Sequence, residues 1–165
     1  MRKILIAATL AAVPVLMTLA SEAAAGAGLS YANTPNRKHT NISGQEIKTL
    51  ASTTVKLDRH SDVLVQFTSQ LGNLNKDGCT CSVRASLVVD GGEPVVVKRV
   101  NLSGGTGEGA DYVPDRQGAD GSFVFALAPG QHEVALVVQQ VSGKAETIQA
   151  FYANLQALVF PSAAQ

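Results

Sequence analysis

In the stretch SDVLVQFTSQL (Ser61 to Leu71), Val63, Val65 and Phe67 alternate with Gln66 and Thr68. Only an extended strand turns a two-residue period into a single apolar face, so this segment reads as a half-buried β-strand. The same period recurs down the chain. EIKTLA and STTVKL (Glu46 to Ala51, Ser52 to Leu57) are two short strands or one bent strand, rich in Thr and β-branched residues. CSVRASLVVD places Cys81, Val83, Ala85, Leu87 and Val89 inward against Ser82, Arg84 and Ser86, and DGGEP is a turn whose glycines can take positive φ. PVVVKRV (Pro94 to Val100) then returns as the partner strand. SFVFALAPGQHEVALVVQQV reads as a hairpin turning at Pro129-Gly130, with Phe123, Phe125 and Leu127 on one arm and Val134, Leu136 and Val138 on the other. In AFYANLQALVF, Leu155, Ala157 and Val159 alternate with Gln156 and Leu158 as a last strand.

Seven or eight strands, turn signals about every ten residues and no amphipathic helix predict an all-β fold, an antiparallel β-sandwich. A jelly roll is preferred to an immunoglobulin-like topology, because the chain has no Trp and its two cysteines are too close in sequence to tie two sheets together.

Ahead of the strands, Met1, Arg2 and Lys3 precede the apolar run ILIAATLAAVPVLMTLA, and SEAAAGAG supplies small residues for cleavage before Ser21 or Gly26. This is the pattern of a secretory signal peptide, so the expectation is a secreted or periplasmic protein. The expected layout is a signal at residues 1–25, a flexible polar leader at 26–43, one β-sandwich domain at 44–161 and a tail at 162–165. A cut before Gly26 removes Arg2, Lys3 and Glu22, so 13 basic and 13 acidic residues become 11 and 12. That balance argues against nucleic acid, which would need a basic face to displace phosphate counterions.

The closing pattern FVFALAPGQHEVALVV…LQALVF resembles the last strands of bacterial jelly rolls similar to tumour necrosis factor and complement-type globular domains. The resemblance implies a binding or structural module, a homo-oligomer (a trimer) and no catalytic residues.

The residues themselves also point away from catalysis. His39, His60 and His132 lack any metal-ligand spacing. LSGGTGEG (Leu102 to Gly109) is neither a nucleophile elbow nor a phosphate loop. His132, at the head of a strand, reads as a structural histidine, and His39 and His60 read as solvated. The stretch Asn101 to Ser122 reads as a long loop carrying Glu108, Asp111, Tyr112, Asp115 and Asp120, a candidate binding site for a protein or surface glycan. Its four carboxylates could surround Ca²⁺, although the alternate spacing of a calcium loop is missing. Tyr112 is the one aromatic there that could stack on a sugar, whereas Phe151 and Tyr152 read as core or edge packing.

Cys79 and Cys81 are the only cysteines, an even count in an exported chain, and a disulfide is the default reading. In an extended strand, Cα atoms two residues apart lie about twice the ~3.3 Å rise from each other, near the ~6.8 Å limit for a bridge. A bend at Gly78 would bring them together. Two capped thiols, or a redox or soft-metal role, are the rivals. The functional expectation is an exported, non-enzymatic β-sandwich serving as a binding or structural module. A small redox or metal-handling protein and a weak carbohydrate-binding module are the alternatives.

Overall fold

The computed structural model describes residues 28–34, 38–73, 81–102, 116–143 and 148–161. These form nine strands and no helix: β1 (Gly28–Asn33), β2 (His39–Ile42), β3 (Lys48–Leu57), β4 (Ser61–Asn73), β5 (Cys81–Val89), β6 (Val95–Leu102), β7 (Arg116–Leu127), β8 (Gly130–Ser142) and β9 (Ile148–Pro161). The antiparallel pairing is nested. β5 pairs with β6, β4 with β7, β3 with β8, and β1 and β2 in succession with β9. Cross-pairing of β4 with β9 and of β5 with β8 then splits this folded-back ribbon into a five-stranded sheet, β1-β9-β4-β7 with β2 also on β9, and a four-stranded sheet, β3-β8-β5-β6. A long hairpin wrapped into two packed sheets is the jelly-roll course of chain.

The alternation accounts for the core. Val63, Val65, Phe67 and Leu71 of β4, with Leu155 and Ala157 of β9, face Val83, Ala85 and Leu87 of β5 and Val134, Leu136 and Val138 of β8. Each large side chain buried this way contributes about 1.5–3 kcal/mol. At the open side of the sandwich, β6 carries an extra residue where its pairing with β5 slips between Ala85 and Ser86. The bulged Val97 packs toward Gly121 of β7, which pairs with Phe67, and a Cβ on Gly121 would lie 2.5 Å from Val97 Cγ1. A glycine opposite an aromatic, against a bulge, is where a neighbouring element approaches too closely for a side chain.

Four expectations change. Residues 28–33 and 39–42, read as a flexible leader, are strands, so the sandwich begins at β1 and not at residue 44. They lack an apolar period because the inward residues of β1 are Ser30 and Ala32. The Ser30 hydroxyl donates to the Thr54 carbonyl at 2.9 Å, tying β1 to β3 across the sheets, and Thr34 N–H donates to Ala153 O at 2.8 Å. Second, β7 and β8 are not a hairpin, since β7 lies in one sheet and β8 in the other. Pro129-Gly130 does reverse the chain, with Gly130 at φ 145°, but carries it over the end of the sandwich. Third, the supposed loop Asn101 to Ser122 contains the end of β6 and the start of β7. Fourth, in the β5–β6 turn positive φ falls on Asp90 (52°) and Gly91 (66°), not on both glycines. Glu46 to Leu57 resolves as one strand from Lys48, with a register shift between Thr49 and Ala51.

At the end of the sandwich His132 joins the two reversals. Its Nδ1 lies 2.7 Å from Asp90 Oδ2 and its Nε2 2.9 Å from the Ala128 carbonyl. Asp90 Oδ1 accepts from Glu133 N–H at 2.8 Å, and Asp90 N–H donates to Glu133 O at 2.9 Å. The structural reading of His132 agrees with this geometry.

Candidate functional site

On the outer face of the five-stranded sheet, register brings polar residues from distant parts of the sequence into two rows. Tyr31, Gln156, Gln66 and Ser122 stand side by side across β1, β9, β4 and β7, and Asn33, Asn154, Thr68 and Asp120 form the next row. Between them lies a depression of about 350 Å³ lined by Gln66, Thr68, Asp120, Ser122, Asn154 and Gln156. Three amides each offer donors and an acceptor, two hydroxyls offer both, and one carboxylate accepts. Among the described residues no side-chain hydrogen bond engages the amides of Gln66, Asn154 or Gln156. The carboxylate is partly offset, since Lys98 Nζ lies 3.8 Å from Asp120 Oδ1. The groove is therefore a nearly neutral array of hydrogen-bonding groups.

Aromatic rings flank it. Tyr31, beside Gln156, is 65 % exposed. Beyond Asn154 the β4–β9 register slips between Thr68 and Gln70, and Tyr152 sits in the slip at φ 52° and 42 % exposed. Positive φ on an aromatic residue is costly, and here the Ser69 hydroxyl, donating to Phe151 O at 3.0 Å, helps to hold the distortion. Phe151 lies next, with the Arg116 guanidinium 4.2 Å from its ring centroid and the His39 ring 5.8 Å away. His39 of β2 thus borders an aromatic cluster while staying exposed, as the sequence suggested, and Tyr152 is an exposed ring where the sequence suggested core or edge packing. The opposite end of the face is an apolar row, Leu29, Leu158, Leu64 and Val124.

Of the residues singled out from sequence, Asp120 alone lines this groove, and it does so from a strand and not from a loop. Glu108, Asp111, Tyr112 and Asp115 lie outside the described residues, as does Cys79. Among the described residues no group of three or more His, Cys, Asp and Glu could hold a metal. Cys81 opens β5 with 2 % exposure, in phase with Val83 and Ala85, and its sulfur weakly accepts from Gln140 Nε2 at 3.8 Å. Among the described residues there is no free cysteine. The groove residues themselves were missed, because each is an ordinary polar position on an alternating strand and only the register of β9, β4 and β7 collects them.

No family model matches the chain, and no curated protein matches it. Solved structures do. The Eiger tumour necrosis factor of S. frugiperda is similar at a TM-score of 0.49 and 8% identity, over 83% of this chain and 94% of that one. The infectious bursal disease virus VP2 subviral particle is similar at 0.48 and 10%, over 80% of this chain but 32% of the capsid chain. The CBM36-1 domain of a multidomain xylanase from the hindgut metagenome of Trinervitermes trinervoides gives 0.37 and 12%, over 84% and 100%. At these identities the likeness concerns the course of the chain alone.

Proposed function

We propose that the protein is an exported, non-enzymatic binding module whose outer-face groove takes a neutral, hydroxyl-rich ligand of the sugar class. The observation that carries this reading is the pair of registered rows, amides and hydroxyls around an open depression with Tyr31 at its side. Neutral amides match hydroxyls, which donate and accept together, better than they match a charged ligand. An exposed ring at the edge supplies the apolar platform that a sugar face needs. The wild-type protein on a glycan array is expected to bind a defined set of sugars. The Gln66→Ala/Asn154→Ala pair should lose about ten- to thirty-fold in affinity, at about 1 kcal/mol per hydrogen bond. Tyr31→Ala should weaken binding similarly. Absence of any bound glycan, or indifference to the groove substitutions, would overturn the assignment.

For the cysteines, we propose a structural disulfide between Cys79 and Cys81. Burial of Cys81 in the core face of β5 supports it and weighs against the redox and metal-handling alternative, which needs accessible thiolates. Alkylation of the native protein, read by mass spectrometry, should add no label, and label should enter only after reduction and unfolding. Rapid labelling of the native chain would sink the bridge and return the redox reading.

A further inference from the structure

The outer face of the four-stranded sheet carries a second, chemically different depression. Arg84 of β5 stands directly across from Arg99 of β6, a like-charge cross-strand pair that is destabilising by itself. Arg99 Nε donates to the Ser82 hydroxyl, which draws Arg99 toward that end of the strands. Arg84 instead borders a hollow of about 180 Å³ on the other side, where Ile47, Pro94 and Val96 are the walls and Ser86 and Val137 the floor. Ser86 and Val137 are a registered pair, 5 % and 7 % exposed, whereas Ile47 and Val96 stand 48 % and 52 % exposed at the rim. Among the described residues no side chain pairs with the Arg84 guanidinium, and no side-chain hydrogen bond engages the Ser86 hydroxyl. Of the acids on the flanking segments, Glu46 is held by Lys48 Nζ at 2.7 Å, and Glu93 stands in the turn before Pro94, outside the lining.

We propose that this hollow binds a short aliphatic carboxylic acid. The carboxylate is forked by Arg84, whose planar guanidinium matches two oxygens at once, with the second cation of Arg99 next to it raising the local positive potential. The Ser86 hydroxyl donates to the same head group or to the first polar atom behind it. The tail lies on Val137 between Ile47 and Val96, where about 180 Å³ holds roughly six carbon-sized groups at about 30 Å³ each. Charge and apolar wall together select an amphipathic anion over a simple anion or a neutral chain. The site faces away from the groove of the other sheet and does not depend on that groove's ligand.

Titration of hexanoate into ¹⁵N-labelled protein tests it, with hexanol as the uncharged tail and sulfate as the charge without a tail. Hexanoate is expected to give saturable shifts at the amides of Ser86, Val96 and Val137. Hexanol should bind at least ten-fold more weakly, and sulfate should not saturate these signals. Arg84→Gln, with the remaining spectrum superimposable, should cost ten-fold or more, and Arg84→Lys, which keeps the charge without the fork, should lose less. Hexanol binding as tightly as hexanoate, no saturation at these amides, or unchanged affinity in Arg84→Gln would overturn the proposal. If Arg84→Gln does not fold, the hexanol comparison and the Lys variant decide it.

Discussion

Replacing Gly121 with Ala is expected to lower stability by about 1–3 kcal/mol, the usual cost of forcing a methyl group into a packed interior. For a domain of this size that is a fall in Tm of several degrees, at roughly 3–5 °C per kcal/mol. The cause is local. The new Cβ would meet Val97 Cγ1 at 2.5 Å and Phe67 Cε1 at 3.3 Å. Valine has few rotamers with which to retreat, and Phe67 is only 3 % exposed. Gly118 in the same strand provides the control, because a Cβ there meets nothing within 4 Å, so Gly118→Ala should leave Tm nearly unchanged or raise it. Val97→Ala should rescue Gly121→Ala, the double variant melting above the Gly121 single variant. Equal melting of the Gly118 and Gly121 variants, or no rescue, would show that the β6 bulge is not what excludes a side chain.

Stability is also expected to decline as pH rises above neutrality, and His132→Gln should abolish that decline. Both partners of the ring, the Asp90 carboxylate and the Ala128 carbonyl, can only accept, so the ring donates from both nitrogens and is an imidazolium in the folded protein. The bond to Asp90, then that to Ala128, raise its pKa above the ordinary 6.5. A raised folded value gives stabilisation that is complete below 6.5 and is lost as pH climbs through the folded value. Asp90 behaves oppositely. His132 first, and the Glu133 amide second, lower its pKa below 3.8, so its contribution is present above 3.8 and lost as pH falls through the lowered value. The pair is therefore at full strength between about pH 4 and 6.5. The Asp90 side chain is 50 % exposed, so solvent screens the pair and the change is about 1 kcal/mol or less. Denaturant midpoints at pH 6 and pH 9 measure it, and ¹⁵N spectra at pH 6 should show both ring nitrogens protonated. A neutral ring at pH 6, or a pH slope that survives His132→Gln, would refute the assignment.

Legibility from sequence followed how much each segment carries its own burial. β4, β5 and β9 present their inward residues as Val63-Val65-Phe67, Val83-Ala85-Leu87 and Leu155-Ala157, and alternation locates them without any knowledge of partners. β1 and β2 carry little apolar surface and exist as strands because β9 supplies a ladder, information that is absent from residues 28–42 themselves. The β7–β8 reversal shows a different limit. Pro129-Gly130 marks where the chain turns, but a turn within a sheet and a turn between sheets use similar residues. The groove depended on register, which sets Gln66 beside Gln156 across ninety positions and has no local signature. Asp120 was picked out for its charge, yet its place in the groove comes from its pairing with Thr68.

The pairing of β1 and β2 along β9 also makes the first strands a guard for the last. β9 runs fourteen residues, from Ile148 to Pro161, with β4 on one side and the two short strands on the other. Removal of residues 28–42 would leave its backbone donors and acceptors in a long open row, the template on which a second chain adds a strand. Cleavage before Gly26 would spare β1 by two residues. Loss of those two short strands would therefore turn a module whose last strand is paired on both sides into one with an adhesive margin.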